Sequence, residues 1–109
     1  MEDSGVPEVT VAEAANGQAG GAVLVDVREP DEYVEVHAVG AQLIPLGEVV
    51  DRLDEVPRDG TVYVICRSGA RSARAAEFYR ANGVDAVNVA GGTLAWVDAG
   101  LPVAEGDGG

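Results

Sequence analysis

The stretch that decides the fold of this chain is Cys66-Arg67-Ser68-Gly69-Ala70-Arg71-Ser72. It follows an apolar run, Thr61-Val62-Tyr63-Val64-Ile65, and leads into an alanine-rich segment, Ala73 to Asn82, with the pattern of a helix. The order of these pieces predicts a buried strand, a tight loop and a helix. It places the single cysteine at the carboxyl end of a central strand, where open α/β sheets hold their functional sites.

Cys66 is predicted to be a nucleophile. Backbone N–H groups of the loop and the N-terminus of the following helix would both lie near its sulfur, and both favour the thiolate over the thiol. Free cysteine has a pKa of about 8.5, and such environments lower it to roughly 3.5–7.5. A lone cysteine is more often a small apolar core residue. We set that interpretation aside because it requires these thiolate-stabilising features to coincide by accident.

Two further segments accompany the cysteine loop, Asp26-Val27-Arg28-Glu29 upstream and Gly91-Gly92-Thr93-Leu94-Ala95-Trp96 downstream. Together the three segments resemble a single-domain rhodanese, of the sulfurtransferase family, and the resemblance covers roughly Glu8 to Val103. It implies that Cys66 accepts a sulfane sulfur from a donor such as thiosulfate and holds it as a persulfide. The sulfur then passes to a thiophilic acceptor, which is cyanide, a thiol or a protein.

The other loop residues are the predicted substrate-binding residues: Arg67, Ser68, Gly69, Ala70, Arg71 and Ser72. Their backbone N–H groups would hold the persulfide anion, Arg71 would bind the donor or orient the loop, and Arg67 would assist from the rim. Family members that use mercaptopyruvate tend to have a less cationic loop. The resemblance therefore implies thiosulfate or a similar anion as the donor.

A cysteine-dependent phosphatase or arsenate reductase is one alternative, since these enzymes also combine a thiolate, an amide cradle and an arginine. They resemble one another in having five residues between cysteine and arginine, whereas four separate Cys66 from Arg71. One residue adds about 3.3–3.6 Å of chain. This length is comparable to the difference between a ring of loop N–H groups that fits one sulfur atom and a ring that fits a tetrahedral oxyanion. The shorter loop favours sulfur transfer.

A second alternative is a persulfide-relay or binding module that works with a protein partner. An inactive relative would be expected to lose its cysteine, and this chain keeps Cys66. A relay module would keep it as well. The sequence leaves two interpretations open, an enzyme that uses free thiosulfate and a module that receives a persulfide from a partner. It also leaves open the physiological donor and acceptor.

The composition is acidic, with 7 basic residues against 19 acidic ones and a net charge of −12. Such a surface disfavours nucleic acid, whose binding depends on cations that neutralise phosphates. Four of the arginines nevertheless lie within residues 66–80, against one glutamate. A local basic patch of this kind can attract a small dianion.

Several other classes are excluded. No run approaches the roughly 18 apolar residues of a membrane span, and the acidic start, Met1-Glu2-Asp3-Ser4-Gly5, lacks the features of a secretory signal. One cysteine forms no intramolecular disulfide, and with a single histidine it cannot complete a zinc site. We therefore expect a cytoplasmic protein, monomeric and without metal or other cofactor.

Strands and helices alternate along the whole sequence. Apolar runs at residues 22–27, 42–44, 61–65 and 85–89, with a short one at Val9, predict about five strands. The predicted fold class is α/β, a rhodanese-like parallel sheet with helices on both faces. We expect one domain over residues 8–103, a disordered N-terminus over 1–7 and a disordered tail over 104–109. The tail ends in Gly108-Gly109, which chance explains better than a likeness to ubiquitin-like sulfur carriers.

Two helices are predicted in the first half of the chain from capping and periodicity. Thr10 and Glu13 have the spacing of a capping box, and the helix should end near Asn16, before a glycine-rich turn. A second, amphipathic helix should run from about Leu46 to Val56, because five apolar residues recur there at helical spacing.

Structural roles are expected for four residues outside the loop. Asp26 and Arg28 form an obvious charge pair at a strand end, where such pairs are usually structural. His37 is expected to be a hydrogen-bonded residue of the fold, and Trp96 is expected in the core. The family usually has glycine before this histidine and isoleucine after it, whereas this chain has valine and alanine. Residue 36 is therefore expected to be less free to adopt a positive φ.

Overall fold

The computed structural model of the chain describes residues 5–107. The predictions made for residues 1–4 and for Gly108-Gly109 lie outside the described residues. The described residues form seven strands: β1 (Glu8–Val9), β2 (Val23–Asp26), β3 (His37–Ala38), β4 (Gln42–Leu43), β5 (Thr61–Ile65), β6 (Asp85–Val89) and β7 (Val103–Ala104). The α-helices are α1 (Val11–Ala19), α2 (Pro30–Glu35), α3 (Ala70–Ala81) and α4 (Gly92–Asp98).

Five of the strands form one parallel sheet in the order β1-β6-β5-β2-β4. The predicted α/β fold with a parallel sheet of about five strands is therefore confirmed. β5 lies in the centre, hydrogen-bonded to β2 on one side and to β6 on the other. β3 and β7 make a separate antiparallel ribbon. Within residues 5–107, none of the helices combines the length and the apolar character that a membrane crossing requires.

Two hydrophobic clusters cover the two faces of the sheet. Alternate residues of β5 point to opposite faces, so Val62 and Val64 belong to one cluster and Ile65 to the other. The first cluster includes Ala75, Ala76 and Tyr79 of α3. The second contains residues of α1, α2 and α4. Because α3 presents alanines to the sheet, it packs closely and holds its N-terminus near the end of β5.

The predicted helix from Leu46 to Val56 is wrong. The segment instead contains two short 3₁₀ turns, Leu46–Glu48 and Leu53–Glu55. A continuous helix would have turned Val50 toward the core, but this side chain is 64% exposed. Gly47 and the two β-branched valines that follow it have low helix propensity, and the apolar spacing alone could not reveal that.

α1 begins as predicted and ends later than predicted. The capping box is present, since Thr10 Oγ1 accepts from the Glu13 N–H at 3.1 Å and Glu13 Oε1 accepts from the Thr10 N–H at 2.8 Å. The helix continues through Gly17 to Ala19. A side chain at position 17 would collide with the ring of Tyr63. Glycine here allows the helix to pack closely against this ring, and it does not end the helix as expected.

The segment around His37 has the structural role that the sequence predicted. The His37 ring is fully buried, its Nδ1 lies 2.8 Å from the Tyr33 carbonyl oxygen, and it stacks on the Tyr33 ring at 3.7 Å between centroids. Val36 adopts an extended backbone with φ −166° and ψ 137°, so valine fits where the family usually has glycine. Trp96 is buried, and its Nε1 donates to the Pro102 carbonyl oxygen at 2.8 Å.

The C-terminal strand extends slightly past the expected domain end. β7 includes Ala104, and the Gly106 N–H donates to the Val34 carbonyl oxygen at 2.7 Å. Residues after 103 are thus hydrogen-bonded to the rest of the domain. The domain boundaries expected from the sequence otherwise stay predictions.

The Asp26–Arg28 pair is structural, as predicted. Both side chains are buried, and Arg28 donates to both carboxylate oxygens of Asp26 at 2.8–3.1 Å. The guanidinium also donates to the Val36 carbonyl oxygen at 2.8 Å. The pair therefore joins the end of β2 to the end of α2, at the edge of the sheet where β5 also ends.

Removing the guanidinium of Arg28 should destabilise the domain much more than removing that of Arg52. Asp26 would stay buried without its counter-charge, which typically costs about 3–5 kcal/mol. Arg52 pairs with Glu48 and Glu55 at the surface, where such pairs contribute about 0–1 kcal/mol. Urea denaturation of Arg28→Met and Arg52→Met measures the two losses. Equal losses would contradict the structural role of the buried pair.

Candidate active site

The loop between β5 and α3 consists of Cys66, Arg67, Ser68 and Gly69. Gly69 adopts φ +120°, a conformation that other residues rarely reach, and it turns the chain directly into α3 at Ala70. The helix therefore starts three residues before Ala73, where the helical pattern of the sequence begins. Because the loop is so short, its backbone closes tightly around the cysteine side chain.

Hydrogen-bond donors converge on the sulfur of Cys66. The Gly69 N–H donates to Sγ at 3.1 Å, and the Ser72 hydroxyl lies 3.2 Å from it. The backbone N–H groups of Ser68 and Ser72 contribute as well. Burial, the largest single influence, raises the pKa of the Cys66 thiol, but these donors together outweigh it and lower the pKa below its usual value.

The start of α4 holds the loop from behind. The Thr93 N–H and hydroxyl donate to the Cys66 carbonyl oxygen at 2.8 and 3.0 Å, and the Leu94 N–H donates to the Arg67 carbonyl oxygen at 3.1 Å. A Cβ on Gly92 would lie 2.5 Å from both of these oxygens. Glycine at position 92 thus lets α4 approach the loop closely enough to hydrogen-bond its carbonyl groups. The loop N–H groups of Ser68 and Gly69 face the sulfur instead.

A buried polar chain continues from the sulfur to the edge of the sheet. The Ser72 hydroxyl lies 2.6 Å from Asn88 Oδ1. Asn88 Nδ2 donates to Glu8 Oε2 at 2.9 Å and to the Gly69 carbonyl oxygen at 3.2 Å. Ser72 and Asn88 are buried, whereas Glu8 is exposed.

The two loop arginines have different environments. Arg71 forms a two-pronged ion pair with Glu32, with N···O distances of 2.7 and 2.9 Å. Its hydrogen bond to Glu32 lowers the pKa of that carboxyl to about 2. The same contact, with a smaller contribution from Cys66, raises the pKa of Arg71. Arg67 is exposed at the rim of the loop.

A cavity of 380 Å³ adjoins the loop on the side of Arg67. Its lining consists of charged residues of both signs and apolar residues of α4: Arg28, Glu32, Glu35, Val36, Arg67, Thr93, Leu94, Val97 and Asp98. The cavity therefore offers space for a small molecule or an extended segment beside the cysteine loop.

The structure places groups of Ser68, Gly69 and Ser72 around the sulfur of Cys66. The side chain of Arg71 is paired with Glu32, whereas that of Arg67 is exposed. The catalytic and substrate-binding roles expected for the loop residues stay predictions.

The structure also adds residues that sequence reasoning missed. Asn88 had a visible signal, because it is a polar residue between the apolar residues Val87 and Val89 of β6. Glu32 and Glu8 had none, since they lie 39 and 80 positions from their partners Arg71 and Asn88.

Comparison with family models identifies the family of the chain. The model described as a rhodanese-like domain matches residues 10–99. The chain belongs to this family. The match spans the cysteine loop, the segment that begins at Asp26 and the one that begins at Gly91, which are the motifs from which the resemblance was predicted. The rhodanese-like assignment is confirmed.

Individual relatives agree with this assignment. A sulfurtransferase of Allochromatium vinosum is 38% identical over 82 residues, which cover 74% of this chain and 77% of that protein. The uncharacterized protein YqhL of Bacillus subtilis is 42% identical over 76 residues, and the match spans only 60% of its length. The crystal structure of a rhodanese-related protein from Thermoplasma volcanium has a TM-score of 0.84 at 32% identity, over 90% of this chain and 97% of that one.

The Glu32–Arg71 pair should make the stability of this rhodanese-like domain depend on pH. The pKa of Glu32 is about 2 in the folded state, against an ordinary 4.5. Its contribution is therefore present above pH 4.5 and lost as the pH falls toward 2. Glu32→Gln should be less stable than the wild type at pH 6, and the difference should vanish near pH 2.

Urea denaturation between pH 2 and pH 7 measures this difference. Arg71→Gln provides the control, because Glu32→Gln should have little effect once the arginine is absent. A stability difference that stays constant over the whole pH range would contradict the ion pair as its origin.

Proposed function

We propose that this domain is a sulfurtransferase in which Cys66 carries a sulfane sulfur as a persulfide. The observation that carries the proposal is the convergence of the Gly69 N–H and the Ser72 hydroxyl on Sγ. An N–H and a hydroxyl within hydrogen-bond reach of Sγ stabilise an anionic sulfur before and after loading. The sulfurtransferase of A. vinosum among its relatives supports the same reaction class.

The proposed reaction has two displacement steps. The Cys66 thiolate attacks the outer sulfur of thiosulfate, the sulfur–sulfur bond of the donor breaks, and sulfite leaves with the electron pair. Cyanide or a thiolate then attacks the outer sulfur of the persulfide, and the pair returns to Cys66 Sγ as the thiolate. No proton has to be delivered to either leaving group, because both leave as stable anions.

The size of the ring supports sulfur over phosphate chemistry. Four residues separate Cys66 from Arg71, and the last of them, Ala70, already belongs to α3. The loop proper is therefore only four residues long, Cys66 included. Such a ring fits one sulfur atom better than a tetrahedral oxyanion, which makes the cysteine-dependent phosphatase the weaker alternative.

Thiosulfate, or an anion like it, is the proposed donor. Arg67 is exposed beside the cavity and is placed to meet the sulfonate of an incoming donor. Arg71 orients the loop through Glu32 and adds a favourable field at the sulfur. We retain the prediction of a cytoplasmic location, since a nucleophilic thiol must stay reduced.

A persulfide relay fed by a partner is the second candidate function. It is favoured by the neutralisation of two guanidinium groups near the loop, Arg71 by Glu32 and Arg28 by Asp26. The field around the loop is therefore less positive than the number of nearby arginines would indicate, which makes the site less suited to a dianion. A less charged donor, such as a thiol persulfide, needs less positive charge at the site. The acceptor in that case is a protein thiol.

Incubation with thiosulfate should add one sulfur atom to the protein, and cyanide should remove it as thiocyanate. Intact-mass spectrometry measures both steps, and Cys66→Ser should abolish them because the nucleophile is gone. Wild-type protein alkylated beforehand with iodoacetamide is the control for non-specific sulfur.

A parallel incubation with glutathione persulfide separates the two candidate functions. Loading by both donors supports the thiosulfate enzyme, and loading by the persulfide alone supports the relay. If neither donor loads Cys66, or if Cys66→Ser still forms thiocyanate, the sulfurtransferase proposal is wrong.

A further inference from the structure

The Ser72 hydroxyl has one proton and three acceptors within reach. Asn88 Oδ1 lies at 2.6 Å, Cys66 Sγ at 3.2 Å and the Gly69 carbonyl oxygen at 3.3 Å. A hydroxyl donates to one of these at a time. Which acceptor holds the proton therefore decides whether Ser72 acts toward the sulfur as a donor or as an acceptor.

The orientation of the Asn88 amide follows from its neighbours. Nδ2 faces a carboxylate oxygen of Glu8 and the Gly69 carbonyl oxygen, and both of these only accept hydrogen bonds. The opposite amide orientation would leave two acceptors facing an oxygen. Oδ1 must therefore face Ser72, and since this oxygen cannot donate, the short contact requires Ser72 to donate to Asn88.

We propose that Asn88, anchored by Glu8, is a positioning residue that controls the proton of the Ser72 hydroxyl. While Cys66 is a thiol, its S–H donates to Ser72 Oγ, Ser72 donates to Asn88, and every group is satisfied. When Cys66 becomes an anion, the hydroxyl turns to the sulfur and leaves Asn88 Oδ1, which is buried, without that proton. Asn88 therefore restrains thiolate formation, and the hydroxyl switches direction each time the sulfur gains or loses charge.

This inference rests on the proposed function only for its consequence in turnover. When an acceptor removes the outer sulfur of the persulfide, the sulfur–sulfur bond breaks and the electron pair stays on Cys66 Sγ. The Ser72 proton then turns toward the new thiolate, with no proton gained or lost by the protein. Asn88 and the sulfur thus compete for the Ser72 proton, and this competition controls how readily Cys66 Sγ acts as the leaving group when the persulfide bond breaks.

Charged groups on neighbouring elements also act on the sulfur. Arg67 belongs to the loop itself, and Arg71 in α3 has a direct electrostatic interaction with Cys66. Arg71 is paired with Glu32 of α2, and the Asp26–Arg28 pair lies at the end of β2. None of these groups is changed by substitutions at Asn88, Glu8 or Ser72, so they form a constant background in the following experiment.

The experiment is a double-mutant cycle read out as the pKa of the Cys66 thiol. The pH dependence of iodoacetamide alkylation, followed by intact mass, reports this pKa without any sulfur donor, because the chain has one cysteine. Asn88→Leu should lower the pKa by about one unit, a tenfold change in thiolate fraction, because the hydroxyl loses its competing acceptor. In the Ser72→Ala background, Asn88→Leu should have no effect.

A milder variant guards against loss of the fold. Glu8 is exposed, so Glu8→Gln leaves the core intact while weakening the anchor of the Asn88 amide. It should lower the thiol pKa by less than Asn88→Leu, and this effect too should vanish in Ser72→Ala. Glu77→Gln is the matched control, an exposed glutamate of α3 whose substitution changes the net charge equally.

The results separate control of the hydroxyl from simpler explanations. An effect of Glu8→Gln that persists in Ser72→Ala would show direct electrostatics and overturn the inference. So would an Asn88→Leu variant with an unchanged or raised thiol pKa, or an effect of Glu77→Gln as large as that of Glu8→Gln. Failure of the domain to load sulfur would refute the proposed function but leave the titration result intact.

Discussion

The structure depends on one constraint, that a buried sulfur must be stabilised as an anion by donors fixed around it. Burial alone opposes the Cys66 thiolate, so the pKa is lowered only because the loop N–H groups and the Ser72 hydroxyl outweigh that effect. These donors reach the sulfur because Gly69 turns sharply into α3. They face it because α4, through Thr93 and the glycine at 92, ties the loop carbonyls to the other side. The sheet supplies the rigid support for both helices.

Charge acts on the site at short range. The chain carries −12 overall, yet the groups that influence the sulfur are the few around the loop. Arg71 is held by Glu32 and therefore contributes a fixed field, not a mobile side chain that follows the substrate. Arg67 stays exposed at the cavity. This division of roles explains how an acidic protein can provide a local site for an anionic sulfur.

The sequence predicted the parts of the fold whose signals are local. The strand, loop and helix around Cys66 were predictable because an apolar run, a glycine and an alanine-rich pattern follow one another directly. The segment from Leu46 to Val56 was not, because its apolar spacing is helical while its packing leaves Val50 in solvent. Contacts such as Glu32 with Arg71 join residues far apart in the chain, and no pattern in one sequence reveals them. The same holds for the hydrogen bonds of Asn88, although a polar residue in that strand was a hint.

The most direct test of the account is a change in ring size. A glycine inserted between Gly69 and Ala70 would move the N–H donors away from the sulfur, and losing one such donor typically lowers a rate by about 10²–10³. A glycine inserted between Gly20 and Gly21, in the turn after α1, is the matched control. Sulfur loading from thiosulfate should fall at least about a hundredfold in the first variant and stay unchanged in the control, while phosphate binding improves only in the first. Unchanged sulfur transfer in the loop variant, or aryl-phosphate hydrolysis by the wild type that exceeds its sulfur transfer, would contradict the claim that the small ring selects sulfur.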